Sequence, residues 1–160
     1  MPSAVIRDPL ISGSSEWRTA LAPAARCESD GAARLWLSDE GAAVALGAGL
    51  GRRTGRLRIG LVVSPGRRPL TVLAKELSSL DVLLEGRLDV ALVPGADQDE
   101  LAEDAAVLRR LASGAALVHA SPRIQAQGAR CLPPARQRPA FPVYAVHDRG
   151  PDWLEAEEVR

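Results

Sequence analysis

The segment at residues 57–63, LRIGLVV, constrains the fold of this chain more than any other part of the sequence. It is apolar almost without alternation, which is typical of a parallel strand that is covered on both faces of its sheet. Parallel strands are joined by crossover connections, and these are usually helices. The segment therefore predicts an α/β fold in which strands and helices alternate along the chain.

The rest of the sequence shows the same alternation of strands and helices. Strand-like segments occur at 4–6, 34–38, 88–93 and 142–146, which gives about five parallel strands in all. Helical patterns separate them, and Pro23 is expected to kink or shorten the first helix. The helix at about 69–84 is the clearest, because Leu70, Leu73, Leu77 and Leu80 recur on one face. Two further helices are predicted at about 41–53 and 97–112.

One part of the chain breaks the pattern. Four prolines between 115 and 141 exclude long regular elements, although 116–119 and 129–132 are predicted to pair as a short hairpin. Residues 153–160, which include three glutamates, are predicted to start a helix. The prediction is a single domain over 1–160, with βα units in 1–114, a Pro-rich hairpin and loop in 115–141, and a last strand and helix start in 142–160.

Composition and spacing exclude several classes of function. Twenty basic and twenty acidic residues give a formal net charge of zero, which argues against nucleic acid as a main partner. No apolar run of about 18 residues occurs, so neither membrane insertion nor secretion is expected and a cytoplasmic location is predicted. Neither the pair Cys27 and Cys131 nor the pair His119 and His147 has the spacing of metal ligands, so no metal site is predicted.

Four segments carry a resemblance to a known family. They are GAARLWLSDE at 31–40, RRTGRLRIGLVVSP at 52–65, RPLTVLAKELSSLDVLLEGRLDVALVPG at 68–95 and CLPPARQRPAFPVYAV at 131–146. In order and spacing they resemble the luciferase-like flavin-dependent monooxygenases, and the resemblance spans roughly 16–158. That family builds a (β/α)₈ barrel with its active site at the C-terminal ends of the strands. The resemblance implies a partial TIM-type barrel here, with the C-terminal half of the barrel absent.

The resemblance also implies a cofactor, which in this family is reduced FMN or a deazaflavin. Val62, Val63 and Ser64 match the end of the third strand, which in relatives lies beside the isoalloxazine ring. Glu40 stands where many relatives carry a His, and it is a candidate general base or a solvated carboxylate at a helix N-terminus. Ala91 and Val93 occupy places where the family often has glycines. Much of the family's phosphate site comes from its last strands, so this chain alone is expected to hold flavin weakly or not at all.

Two functions remain open from the sequence. The chain is either a subunit of a flavin-dependent monooxygenase or oxidoreductase whose partner chain completes the barrel and active site, or a non-catalytic member that binds flavin or product or stabilises a partner. An open half-barrel is expected to expose strand edges at 4–6 and 143–146, which invites pairing. We therefore expect a homo- or hetero-oligomer through the helices at 41–53 and 69–84, and a full-length luciferase-like subunit is one candidate partner.

The Pro-rich segment is basic. Arg123, Arg130, Arg136 and Arg138 make it either a solvated loop or a docking surface for an acidic partner.

Overall fold

A computed structural model of the chain describes residues 5–38, 42–94 and 98–159. Strands and helices alternate through most of this length, which confirms the α/β class. In chain order the elements are β1 (Ile6–Ile11), α1 (Trp17–Ser29), β2 (Arg34–Ser38), α2 (Ala43–Gly51), β3 (Arg58–Val63), a 3₁₀ turn (Pro65–Arg67), α3 (Leu70–Leu83), β4 (Leu88–Leu92), α4 (Gln98–Ala112), β5 (Leu117–Ala120), β6 (Gln125–Ala129), β7 (Val143–Arg149) and β8 (Trp153–Glu158).

Six of the strands close into a barrel in the order β1-β2-β3-β4-β7-β8. Parallel ladders join β1, β2, β3, β4 and β7 in that order. The sixth strand, β8, is antiparallel to both of its neighbours, with Ala156 opposite Ile6 of β1 and opposite Val146 of β7. The barrel is thus mixed and closed, and it differs from the open arrangement of about five parallel strands predicted from the sequence.

The last strand corrects two predictions. Trp153–Glu158 form a strand where the start of a helix was predicted over 153–160. The edges at β1 and β7 are not open, because β8 pairs with both of them. Glu, Ala and Leu favour helices locally, but pairing at two strand edges outweighs that preference. In β8, Leu154 and Ala156 are fully buried, whereas Glu155 and Glu157, which alternate with them, are half-buried. This alternation is typical of an antiparallel strand with one face in water.

Three smaller differences concern boundaries. The first strand, predicted at 4–6, runs over Ile6–Ile11 in the described residues, because Asp8 and Pro9 belong to the strand although both residue types favour turns. The predicted hairpin forms, but its second arm is β6 at Gln125–Ala129. Helix α1 continues through Pro23.

The barrel separates two hydrophobic clusters. The outer cluster lies between the strands and the helices and includes Leu37, Leu61 and Leu77. The inner cluster lies inside the barrel, where every second residue of a strand points. Its members are buried side chains from all six strands: Leu10, Trp36, Val62, Ala91, Tyr144, Val146, Leu154 and Ala156. Side chains therefore fill the barrel interior.

The outer face of β1, β8 and β7, which we call the seam, is polar. Arg7 of β1 pairs with Glu155 of β8 at 3.4 Å, and His147 of β7 lies 3.0 Å from Glu157 of β8. The Arg7 guanidinium also stacks over Trp153, 4.0 Å from the ring centroid. The seam is therefore suited to contact with water rather than to burial under another layer of apolar structure.

Candidate functional site

Topology places the candidate site at one rim of the barrel. All parallel strands end at the same rim, and the loops that follow them meet there, as in other βα barrels. On β3, Val62 points into the barrel and is fully buried in the inner cluster. Ser64 follows on the same side, is half-buried and lines a cavity at the rim. These two predicted residues therefore lie at the rim and directly below it.

The structure does not bring the third predicted residue to the rim. The Val63 side chain points outward, is fully buried and belongs to the cluster that packs against the helices. Its carbonyl oxygen accepts a hydrogen bond from the backbone N–H of Val93 at 2.9 Å. Ala91 and Val93 lie on the inner side of β4 and just beyond its end, as the alignment with the family's glycines predicts. Glu40 lies outside the described residues, so its role as a general base stays a prediction.

Hydroxyl groups hold the loop that follows β1. The backbone N–H of Gly13 donates to Ser38 Oγ at 3.1 Å, and the hydroxyls of Ser12 and Ser14 lie 2.7 Å apart. Ser38 is the last residue of β2, so this contact ties the first loop to the second strand. The hydroxyls of Ser12, Ser14 and Ser38 are thus already engaged in holding these loops.

The rim cavity has a volume of about 210 Å³. It lies between the loops after β3 and β4 and the start of α4, and the following residues line it: Ser64, Pro65, Gly66, Val93, Pro94, Glu100, Leu101, Asp104 and Arg123. Arg123 belongs to the turn between β5 and β6, so this hairpin reaches over α4 to the rim.

Arg123 is the centre of the charges at this cavity. Its guanidinium donates to both oxygens of the buried Asp104 at 3.2 Å and to Glu103 Oε2 at 3.1 Å, and its Nε lies 3.3 Å from Glu100 Oε1. The hydrogen bond to Asp104 raises the pKa of Arg123 above its ordinary value. Hydrogen bonds from Ser121 and from His119, whose Nε2 is 2.7 Å from Oε1, lower the pKa of Glu103. One guanidinium thus pairs with three carboxylates, and these contacts fasten the hairpin to α4.

A second set of charges lies inside the barrel, at the opposite end of the strands. Arg58 of β3 donates to both oxygens of the fully buried Asp89 at 2.9 and 2.7 Å. Arg34 Nε lies 3.3 Å from Asp8 Oδ2 and 3.5 Å from Asp89 Oδ2. Burial raises the pKa of Asp8, although the Arg34 charge opposes this shift. The groups are paired, and they lie at the end of the barrel away from the rim.

The remaining polar candidates have structural surroundings. Asp81 of α3 is fully buried and accepts hydrogen bonds from the backbone N–H and the side chain of Gln137, at 2.9 and 2.8 Å. Glu76 pairs with Arg68 at 3.1 Å. In the part of the chain that the structure describes, no three His, Cys, Asp or Glu residues are grouped to hold a metal ion.

A flavin does not fit the described residues of the rim. The cofactor needs a slot for its ring and cations or free N–H groups for its phosphate, but the charged groups of the rim cavity are already paired with one another. A second hollow, of about 360 Å³, lies between the starts of α1 and α2, and no Arg or Lys lines it. Below the rim, Val62 and Ala91 fill the barrel centre. We therefore assign no cofactor contact to the rim residues that the structure describes.

Together, the barrel of parallel strands with outer helices and the loops gathered at one rim define a protein of the βα-barrel class. A sequence model of the luciferase-like monooxygenase family matches residues 3–148. The chain therefore belongs to the luciferase-like monooxygenase family, as its sequence motifs indicate.

Solved structures agree with this fold. The monooxygenase RslO1 from Streptomyces bottropensis superimposes with a TM-score of 0.70 at 22% identity, over 83% of this chain and 48% of that one. The coenzyme F420 dependent tetrahydromethanopterin reductase from Methanopyrus kandleri gives 0.71 at 16% identity, over 86% and 49%. The oxygenating constituent of 3,6-diketocamphane monooxygenase from Pseudomonas putida, solved with FMN, gives 0.61 at 14%, over 82% and 45%. The chain spans about half the length of these relatives.

Sequence reasoning missed the residues that dominate the described site. Arg123 was grouped with the basic loop, but it pairs with three carboxylates of α4. The spacing of Glu100, Glu103 and Asp104 puts three carboxylates on one helical face. This pattern could have indicated a cationic partner, because like charges on one face repel each other unless a cation lies nearby. Its partner could not be identified, since the hairpin that carries Arg123 is distant in sequence.

No helix among the described residues is long and apolar enough to cross a membrane.

Proposed function

We propose that this chain is a non-catalytic luciferase-like subunit that associates with a second luciferase-like chain, either another copy of itself or a flavin-dependent oxidoreductase of the family whose own barrel carries the flavin. The observation that carries the proposal is the closed and filled barrel. Because β8 pairs with both β1 and β7, a partner cannot add strands to this barrel unless β8 is displaced. This favours the non-catalytic alternative over a subunit whose barrel and active site a partner completes.

The packing inside the barrel supports the same conclusion. Trp36 is fully buried, and its ring meets the ring of Tyr144 edge to face at a centroid distance of 5.8 Å. Leu154 of β8 is also fully buried against this cluster. A ligand placed among these rings would have to displace closely packed side chains, which costs several kcal/mol in ordinary protein cores.

Association with a partner is argued from helix α2. Its sequence, AVALGAGLG, contains no polar side chain, although Ala45 is exposed and Val44 and Ala48 are only half-buried. A helix that is apolar on all sides is normally covered on all sides. Trp17 of α1 and Val72 of α3 are also exposed, on the two helices that neighbour α2. We expect a luciferase-like chain, either a second copy or a full-length subunit, to cover α2 and α3.

Titration of the protein with FMN and with coenzyme F420, followed by cofactor fluorescence, tests the first part of the proposal. We expect no saturable binding at stoichiometric concentrations, because the described rim offers no free cation for the phosphate. One cofactor bound per chain, with a shifted visible spectrum, would show that the chain has a flavin site and would refute this part of the proposal.

The mass in solution, measured by light scattering during gel filtration, tests the second part. We expect a dimer or a larger species, which Ala45→Glu on α2 converts to monomer. The matched control is Ala102→Glu, which places the same charge at an exposed position on α4. A wild-type protein that remains monomeric alone and in a mixture with a full-length luciferase-like subunit would refute the association.

A further inference from the structure

We infer that the end of the barrel opposite the rim is a docking surface for an acidic segment of another protein. This surface, which we call the basic face, consists of the connections that lead back to the strands: 30–33, 52–57, 84–87, 113–116 and 130–142. Parallel strands begin at one common end of a barrel, so the connections between each helix and the next strand meet there. The inference is independent of the proposed function, which concerns the rim and helix α2.

Contacts place the Pro-rich connection on the same face. A Cβ added at Gly86 would lie 3.4 Å from Gln137 and 3.9 Å from Arg136, and one added at Gly114 would lie 2.9 Å from Pro134. Arg87 reaches the carbonyl oxygens of Gly51 and Leu57 at 2.7 and 2.9 Å. The Pro-rich segment therefore lies beside the ends of α3 and α4, and Arg87 links the end of α2 to the same face.

The basic face is strongly charged although the chain is neutral. Its connections carry seven arginines and only two acidic residues, Asp30 and Glu85. The arginines are Arg52, Arg53, Arg56, Arg87, Arg130, Arg136 and Arg138. All except the half-buried Arg87 are exposed. A local excess of one charge raises the local concentration of ligands of the opposite charge and speeds their association.

Four of these arginines are free to bind. The guanidinium groups of Arg52, Arg53, Arg130 and Arg136 form no hydrogen bond or ion pair with any residue in 5–38, 42–94 or 98–159. Arg123, which the sequence groups with them, is different, because three carboxylates of α4 already hold it. The planar guanidinium group binds a carboxylate through two parallel hydrogen bonds, so carboxylates are suitable ligands.

Exposed apolar side chains lie among these charges and decide the class of partner. Val82 and Leu83 are the last two residues of α3 and are 39% and 58% exposed, and Leu132 of the Pro-rich segment is 61% exposed. Protein interfaces combine apolar contacts with arginine, whereas nucleic-acid surfaces pair cations with aromatic rings that stack on bases. The connections of the basic face carry Phe141 as their one aromatic residue, and it is fully buried. An acidic protein segment with apolar side chains therefore fits better than a nucleic acid.

Fluorescence anisotropy with a fluorescein-labelled peptide of alternating Glu and Leu tests this inference. The control peptide carries Gln in place of Glu. We expect binding of the acidic peptide alone, weakening as salt rises from about 0.05 to 0.3 M, because salt screens exposed charges. The double variant Arg53→Gln with Arg136→Gln is expected to weaken binding by about threefold to tenfold, since each exposed ion pair contributes a modest factor.

The matched control variant is Arg18→Gln with Arg67→Gln, which removes two exposed arginines from other parts of the surface. Circular dichroism checks that both variants are folded. Equal losses in the two variants would overturn the inference, as would an acidic peptide that fails to bind. Tighter binding of duplex DNA, or of phosphatidylserine vesicles, than of the acidic peptide at the same salt would assign the basic face to a different partner and also overturn it.

Discussion

Replacing Gly60 with Ala should destabilise the protein by filling the space that Trp36 occupies. Gly60 is in the middle of β3 and faces the barrel interior. A Cβ added there would lie 2.0 Å from Trp36 Cε3 and 2.5 Å from Cζ3. Because two carbon atoms in contact are normally about 3.5–4.0 Å apart, the indole ring would have to move by about 1.5 Å or more. The ring cannot move freely, since it is fully buried against Tyr144.

The magnitude follows from two opposing effects. Overpacking a closely filled core costs about 1–3 kcal/mol, whereas Ala in place of Gly in a strand gains about 0.5–1 kcal/mol by restricting the unfolded chain. We expect a net loss of about 1–2 kcal/mol in the free energy of unfolding. With a denaturant slope of about 1–3 kcal/mol/M, the urea midpoint should fall by roughly 0.3–2 M. Circular dichroism during urea unfolding measures this midpoint.

Two further variants make the result decisive. Gly66→Ala is the control, because an added Cβ there meets no atom within 4 Å, and it should leave the midpoint unchanged or raise it slightly. Adding Trp36→Leu to Gly60→Ala should cost less than the sum of the two single changes, since the ring that obstructs the new methyl group is gone. A Gly60→Ala protein as stable as wild type, or more stable, would refute the described packing of the barrel interior.

Three other changes test the parts that close the barrel and its lower end. Leu154→Ala in β8 should lower the free energy of unfolding by about 2–5 kcal/mol. The control Glu155→Ala, on the seam, should change it by less than about 1 kcal/mol. Urea unfolding distinguishes the two results. Gln137→Ala should cost about 1–3 kcal/mol in the same assay, because the fully buried Asp81 loses its hydrogen bond from the Gln137 side chain and keeps the one from the backbone N–H of that residue; an unchanged midpoint would show that water replaces it. Backbone N–H groups of the loop at 55–57 donate to Glu28 Oε1 and lower the pKa of this carboxyl group. The ionised Glu28 therefore stabilises the fold above the ordinary carboxyl pKa, and this stabilisation is lost as the pH falls through the lower pKa of the folded state. Thermal melts of Glu28→Gln across acidic pH should show a shallower loss than wild type, and equal slopes would contradict the assignment.

The parallel part of the fold was largely predictable from sequence. The strand β3 was evident from LRIGLVV, and helix α3 from its leucine spacing, because both elements are specified by local patterns. The closing strand β8 was not predictable, because its sequence WLEAEE contains good helix formers. Of the two strands that pair with it, β1 and β7, the first is also distant in sequence. The alternation of Leu154 and Ala156 with glutamates was the available signal, and it covers only a few residues.

The candidate site was less predictable than the fold. The family resemblance placed Val62 and Ser64 near the rim, but it also included Val63, because matching a motif does not say which face of the strand a side chain occupies. Successive side chains of a strand point to opposite faces, so Val63 of β3 must face outward once Val62 is known to point inward. The pairing of Arg123 with α4 depends on how the hairpin folds back over the helix, and no local pattern encodes that.

The pairing of β8 with β1 has a consequence for the order of folding. Residues near 6 and near 156 must meet before the barrel can close, so closure brings together parts of the chain that are almost as far apart in sequence as its length allows. Contacts of such large sequence separation form slowly, because a long loop must be ordered first. The βα units from β1 to β4 use shorter-range contacts and can form earlier. Amide hydrogen exchange during refolding should therefore protect β3 and α3 first, and β8 together with its two neighbours last.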